Sequence, residues 1–251
     1  MNINAPQKEH LPALRNLWKD AFGDDDAFLD VFYRTAFSPD RCRVLTIDNE
    51  PVAALYWFYC SCRGRKMAYL YGIATSENHR GKGLCHTLME NTHAHLASQG
   101  CVGTVLVPRT PSLFAFYKTM GYTPCSSFRE FSCSAEGSVT LRKLDEKEYA
   151  ALRLQYLPEG GVVQMEENLT FLSTMASFYA GPDFLLAAEQ EGRTLYGKEL
   201  LGNASAAAAV VAALGCEKGM FRTPGSETPF AVYRPLDDSV PPPTYFGLAF
   251  D

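Results

Sequence analysis

Apolar residues at Leu11, Leu14, Leu17, Trp18, Ala21 and Phe22 fall on one helical face, which predicts a helix over residues 11–22. A strand over residues 2–5 precedes it. The acidic run Asp24-Asp25-Asp26 suits a helix N-terminus, and Phe28, Val31, Phe32 and Ala36 give the helix that follows its apolar side. From Arg41 the period shortens to that of strands. Residues 42–47, 52–62 and 67–75 read as three strands, the first two joined by the turn Asp48-Asn49-Glu50-Pro51. Leu84, Leu88, Thr92 and Leu96 recur at four-residue steps and predict a helix over 83–98. An apolar strand over 102–107 and a helix over 111–120 come next, the helix with proline in its first turn and Gly121 as its stop. Residues 122–133 continue as extended chain.

The small polar run Ser134-Ala135-Glu136-Gly137-Ser138 marks a junction, giving expected domains at 1–135 and 136–251. The second half opens with a strand over 139–144 and a capping box at Asp145 and Glu148, starting a helix with Tyr149, Leu152 and Tyr156. A further helix is expected to carry Leu169, Leu172, Met175, Ala176 and Tyr179. Residues 184–188 and 194–200 form a hairpin, and Gly202-Asn203-Ala204-Ser205 leads into an Ala-rich helix over 204–214. Strands follow at 219–222 and 230–234. The second half thus repeats the element order of the first without evident sequence identity. Each half alternates strands and helices as a mixed α/β (α+β) sheet covered on both faces does.

Of the 251 residues 47% are apolar and 20% charged, enough to build a core and so to exclude a disordered chain. A net charge of −5 argues against a nucleic-acid partner, which needs a cationic surface. The eight cysteines are expected as reduced thiols. Cys60 and Cys62 alternate along a strand, and no second pair at zinc spacing accompanies them, so no metal is expected. The N-terminus has no leader pattern and no apolar run reaches the ~20 residues of a membrane span, so a cytoplasmic protein without a membrane partner is expected.

The chemistry concentrates where residues 67–75 run through Arg80-Gly81-Lys82-Gly83-Leu84-Cys85 into a helix. Amides at a helix start lack internal partners, and the helix dipole adds positive potential there. Glycines let that backbone approach an anion, and Arg80 and Lys82 add charge, so the turn reads as a diphosphate cradle. It has neither the Lys-Ser/Thr pair of a P-loop nor the three-glycine dinucleotide fingerprint.

Tyr69-Leu70-Tyr71-Gly72-Ile73-Ala74-Thr75 followed by Arg80-Gly81-Lys82-Gly83-Leu84 resembles motif A of the GNAT N-acetyltransferase superfamily. Phe116-Tyr117-Lys118-Thr119-Met120-Gly121-Tyr122 resembles its motif B. The resemblance covers residues 1–135. It implies a GNAT fold, with an acyl-CoA-binding N-terminal domain followed by a smaller, degenerate GNAT-like domain. It implies acetyl-CoA as co-substrate, its diphosphate on Arg80, Gly81, Lys82, Gly83, Leu84 and Cys85. Its pantetheine arm would run along Ile73, Ala74 and Thr75 and reach Thr110 and Phe116. Cys85 replaces the usual Gly or Ala, and Thr110 the usual Asn. Tyr117 would protonate the departing thiolate, and the implied acceptor is a small-molecule or peptide amine.

Many relatives carry a basic carboxylate on the fourth strand, where this chain has Tyr71. A water chain is one candidate for the base; by similarity to tandem GNAT proteins of the enhanced-intracellular-survival type, Asp251 is the other. The stretch Phe246-Gly247-Leu248-Ala249-Phe250 before it is more apolar than a frayed terminus and is expected to dock. The aromatic run at residues 55–59 is a candidate wall of the acceptor pocket. The competing expectation is a GNAT-fold acyl-CoA sensor without turnover. The oligomeric state is not legible in the sequence.

Overall fold

The computed structural model describes residues 1–164 and 166–250. They form two compact units, Met1–Leu106 with Arg234–Pro241, and Val107–Tyr233 with Pro242–Asp251.

In the first unit β1 (Asn2–Asn4) is followed by α1 (Leu11–Phe22) and α2 (Asp26–Thr35). Gly23, in the left-handed conformation, ends α1, and Asp25 starts α2 by accepting from the Phe28 amide at 2.8 Å. Then come β2 (Cys42–Ile47), β3 (Glu50–Cys62), β4 (Arg65–Thr75), α3 (Leu84–Ser98) and β5 (Gly103–Leu106). β1–β2, β2–β3 and β3–β4 pair antiparallel, and β4–β5 parallel. Alternation along β3 decides which helix covers which face. Tyr56 meets Trp18 of α1 at 5.2 Å between ring centroids, whereas Trp57, one residue on, meets His95 of α3 at 5.8 Å. α1 and α3 therefore cover opposite faces. Leu84, Leu88, Met89, Thr92, His93 and Leu96 are the buried stripe of α3.

The second unit begins with α4 (Pro111–Lys118) and β6 (Thr123–Ser134), then β7 (Arg142–Leu144), α5 (Glu146–Tyr156), the short β8 (Val163–Gln164) and α6 (Glu166–Leu172). It continues through β9 (Ser177–Ala180), β10 (Phe184–Glu191), β11 (Thr194–Gly202), α7 (Ala207–Ala213), β12 (Lys218–Pro224) and β13 (Thr228–Pro235), whose last two residues belong to the first unit. The pairing succession matches the first unit: β7–β9, β9–β10 and β10–β11 antiparallel, then β11–β12 parallel. β6 pairs antiparallel with both β12 and β13. The compact units divide ahead of α4, whereas the expected junction at residues 134–138 follows β6.

The capping box at Asp145 and Glu148 is present, with the Glu148 amide 2.8 Å from Asp145 Oδ1 and the Asp145 amide 3.2 Å from Glu148 Oε2. The helix expected to reach Tyr179 stops at Leu172. Met175 and Ala176 lie in the turn that follows, and Phe178 and Tyr179 lie on β9, paired with Ala187 and Leu186. Leu169, Leu172 and Ala176 are buried and Tyr179 is half-buried, so the apolar spacing that read as one helical face is a helix followed by a turn and a strand. Phe178 stacks on Tyr149 at 4.2 Å, and ladder bonds to β10 outweigh local helical spacing there.

At the centre of this unit Glu199 on β11 is fully buried. It accepts from Tyr149 Oη at 3.0 Å, from Arg153 Nε and Nη2 at 2.7 and 2.8 Å, and from Tyr245 Oη at 3.1 Å. The Arg153–carboxylate fork, also buried, satisfies both charges, as a buried ion pair must be satisfied. The chain's last segment docks as expected: Tyr245, Phe246, Leu248, Ala249 and Phe250 are buried, and Gln164 donates to the Leu248 carbonyl at 2.6 Å. All eight cysteines are free. No helix of the described residues is long and apolar enough to cross a membrane.

Candidate functional site

The centre of the first unit is shaped by an irregularity in β4. Opposite β3, Ala54 pairs with Ala74 but Tyr56 with Tyr71, so β4 carries one residue more than its partner. Gly72 takes this β-bulge at φ +60°. On the other edge only Ala68 and Tyr69 are registered with β5, at Thr104 and Val105. From Leu70 to Thr75, β4 runs on with no registered partner on β5. That stretch contains Ile73, Ala74 and Thr75, whose main chain the sequence placed along an extended ligand. A glycine inside a strand signals a bulge, and Gly72 was the available sign of it.

Beyond Thr75 the Ser76 amide holds to the Val52 carbonyl at 2.9 Å, and a single 3₁₀ turn leads to Arg80. Arg80 Nε donates to the Thr75 carbonyl at 3.2 Å, and Lys82 Nζ to the Asn78 carbonyl at 3.0 Å, so both side chains brace the turn. Neither has a carboxylate within 4 Å among the described residues. Gly81 and Gly83 have φ of +73° and +76°, and a Cβ built on either meets nothing within 4 Å. Left-handed backbone thus turns the chain into α3 with open space in front of it.

The amides complete the turn. The first bond into α3 runs from the Thr87 amide to the Gly83 carbonyl at 3.1 Å. Among the described residues no acceptor meets the amides of Gly81, Lys82, Gly83, Leu84, Cys85 and His86. Gly81, Lys82 and Gly83 are exposed, so their amides are open rather than sealed by protein. A run of unmatched N–H groups at the positive end of a fifteen-residue helix, flanked by two cations, fits an anionic diphosphate. Burial lifts the Cys85 thiol to about 11, so it stays protonated at neutral pH and is no nucleophile.

Tyr71 stands where a carboxylate was sought. Its ring lies 5.4 Å from Trp18 and 6.1 Å from Phe58 in an aromatic cluster with Tyr56, Phe32 and Tyr69. The run at residues 55–59 divides between the two faces of β3, with Leu55 to Phe58 buried and Tyr59 half-buried. Burial raises the Tyr33 phenol, which lies 3.3 Å from Tyr56 Oη, to about 12.

The remaining expected residues belong to the second unit. Thr110 precedes α4 with its hydroxyl 2.9 Å from that of Ser112, and is exposed. Phe116 is 40% exposed on the outer face of α4, whereas Tyr117 is buried with its ring 5.8 Å from Tyr122. Asp251 lies outside the described residues. No cluster of metal-ligating side chains occurs among the described residues.

The corresponding turn of the second unit is built differently. β11 also carries an extra residue, with Ala187 opposite Glu199 and Ala188 opposite Gly197. Its helix start is closed by its own chain: Asn203 Oδ1 accepts from the Ser205 amide at 3.0 Å, and the Asn203 amide donates to the Asp183 carbonyl at 3.0 Å. A Cβ on Gly202 would stand 2.4 Å from that carbonyl. Among the described residues no open row of amides results there.

A bulged strand, unregistered with β5 beyond Tyr69, thus passes through a glycine turn with open amides into a helix. Residues 2–125 match the acetyltransferase (GNAT) domain family. The chain's fold is the GNAT fold. A GCN5-related N-acetyltransferase from Kribbella flavida matches with a TM-score of 0.73 at 19% identity, over 94% of this chain and 72% of the other. One from Anabaena variabilis gives 0.75 at 13% identity, over 94% and 73%. Eis1 from Mycobacterium abscessus gives 0.68 at 13%, over 94% and 74%. At these identities the likeness is one of fold. No curated protein sequence matches the chain.

Proposed function

We propose that the protein is an acetyl-CoA-dependent N-acetyltransferase acting on a primary amine, small or peptidic. The observation that carries this reading is the row of unmatched amides from Gly81 to His86, with Arg80 and Lys82 beside it. These groups would hold the diphosphate. The bare edge of β4 at Ile73, Ala74 and Thr75 would hold the pantetheine arm, and Thr110 and Phe116 would line its path.

In the transfer the amine nitrogen bonds to the thioester carbonyl carbon, the C–S bond breaks, and the sulfur takes up a proton. One β4 amide facing the carbonyl oxygen as charge develops there is worth about 3 kcal/mol. Tyr117 gives the proton; a phenol near ~10 against a thiol near ~8.5 makes this uphill by roughly 2 kcal/mol. An amine near ~10.4 must lose its own proton first, at about 4–5 kcal/mol at neutral pH. Tyr71 sits in an aromatic cluster and offers no base, so we assign that role to Asp251.

We read the second unit as a copy of the same fold without a working cradle. The repeated pairing order and bulge support this, and the side-chain cap at Asn203 explains the lost anion site. The division proposed is 1–135 for the acetyltransferase domain and 136–251 for the copy. A cytoplasmic location is supported by the eight free thiols.

Titration calorimetry with coenzyme A, and thiol release from acetyl-CoA over an amine panel, test the reading. Binding with acceptor-dependent release, lost in Tyr117→Phe at unchanged coenzyme A affinity, is expected. Binding without acceptor-dependent release would favour a sensor, the reading to which the absent β4 carboxylate lends support. No binding would end both.

A further inference from the structure

We propose that the cleft between β1, β2 and α3 binds a small oxyanion, a phosphate or carboxylate group. The proposal is independent of acyl-CoA binding. The cleft measures about 330 Å³, and its polar lining is Asn4, Arg43, Asn91 and His95. All four belong to the first unit, and none takes part in the glycine turn.

The charge balance of this cleft is unusual. Arg43 is partly buried, and Nη1 donates to the Cys42 carbonyl at 3.0 Å. No carboxylate lies within 4 Å of the guanidinium among the described residues. Asp40 acts on Arg43 only as a charge at longer range. Burial pulls the Arg43 pKa down, and it lowers that of His95 as well, with the charge of Arg43 as the second cause there. A cation and a potential cation therefore share one cleft without an acid to match them.

The Trp57 ring packs against both, 5.7 Å from the Arg43 guanidinium carbon and 5.8 Å from the His95 ring. It is buried, and its Nε1 has no hydrogen-bond partner. Half-buried cations and buried donors without acceptors cost free energy, and folds normally remove them by pairing. Arg43 is left with guanidinium N–H groups unused, and the Asn4 and Asn91 amides bring further donors. A planar or tetrahedral oxyanion accepts several of these at once, and a guanidinium fork favours it over a spherical halide. Small neighbours, Ala5 and Ala94, leave room at the wall.

Thermal unfolding of the full chain in inorganic phosphate, malonate or chloride at matched ionic strength tests the assignment. Phosphate or malonate is expected to raise Tm by a few degrees over chloride, the stronger of the two naming the preferred source. Arg43→Ala should weaken that anion at least tenfold, and Arg80→Ala should leave it unchanged. Equal behaviour in all three salts would overturn the proposal. So would an effect that survives Arg43→Ala and disappears in Arg80→Ala, which places the anion at the glycine turn. If Arg43→Ala does not fold, Arg43→Lys with the His95 ring resonances as probe decides. A phosphate-induced shift that shrinks supports the site, and an unchanged one removes it.

Discussion

Gly72 lies against Trp18: a Cβ built on this glycine would stand 2.5 Å from Cζ3 of the indole and 2.9 Å from Cδ2 of Tyr56. One contact thus ties the bulge of β4 to the helix covering that face of the sheet, and so to the bare edge that follows. Positive φ and a rigid aromatic neighbour both demand glycine here. Gly72→Ala is expected to cost at least about 2 kcal/mol, since left-handed backbone contributes about 1–2 and overpacking about 1–3. Coenzyme A affinity should fall with it. Chemical denaturation and calorimetry on the variant check both. Wild-type stability would mean that β4 can lose its bulge.

Arg80 separates ligand binding from folding. It is exposed and makes one bond, to the Thr75 carbonyl. Arg80→Ala should leave Tm nearly unchanged and weaken coenzyme A by about ten- to a hundredfold, the worth of a charge-assisted hydrogen bond. Calorimetry at two salt concentrations should show the loss shrinking as salt rises.

His93 predicts an acid limb in stability. It is buried on α3, with Nδ1 2.7 Å from Nη1 of Arg234, which also pairs with Glu90. Burial first, and then the charge of Arg234, hold its pKa at about 4, against the pull of Glu90; His86 adds a small further lowering. The unfolded chain takes up this proton near ~6.5 and the folded one only near 4. Stability is therefore full above ~6.5 and falls between there and about 4, by up to about 1.4 kcal/mol per pH unit. Arg234 holds the Glu90 carboxyl below its usual range, which adds a loss at lower pH. Urea midpoints from pH 7 to 4 should show the slope, and His93→Gln should flatten it.

The Arg153–Glu199 pair should be far more sensitive to losing one partner than both. Glu199→Ala leaves a buried guanidinium uncompensated and is expected to cost about 3–5 kcal/mol. Replacing Arg153 by Met together with Glu199 by Leu should recover much of this. Because Tyr245 also donates to Glu199, proteolysis near the C-terminus should accelerate in the single variant. A double-mutant cycle in denaturant measures the coupling.

The sequence alone determined what depends on neighbours along the chain. Apolar spacing placed α1, α2 and α3, the acids of Asp25 and Asp145 placed two helix starts, and Gly81 and Gly83 placed the turn that leaves amides open. All of these act within a few residues, which is why they are legible. Tertiary structure alone decided where Phe178 goes, because its place on β9 is fixed by β10 and Tyr149. It also decided that β4 parts from β5 after Tyr69, that Glu199 is buried among three donor side chains, and that Arg43 is left without an acid. Those outcomes depend on which distant groups come within a few ångströms, and no local spacing encodes that distance.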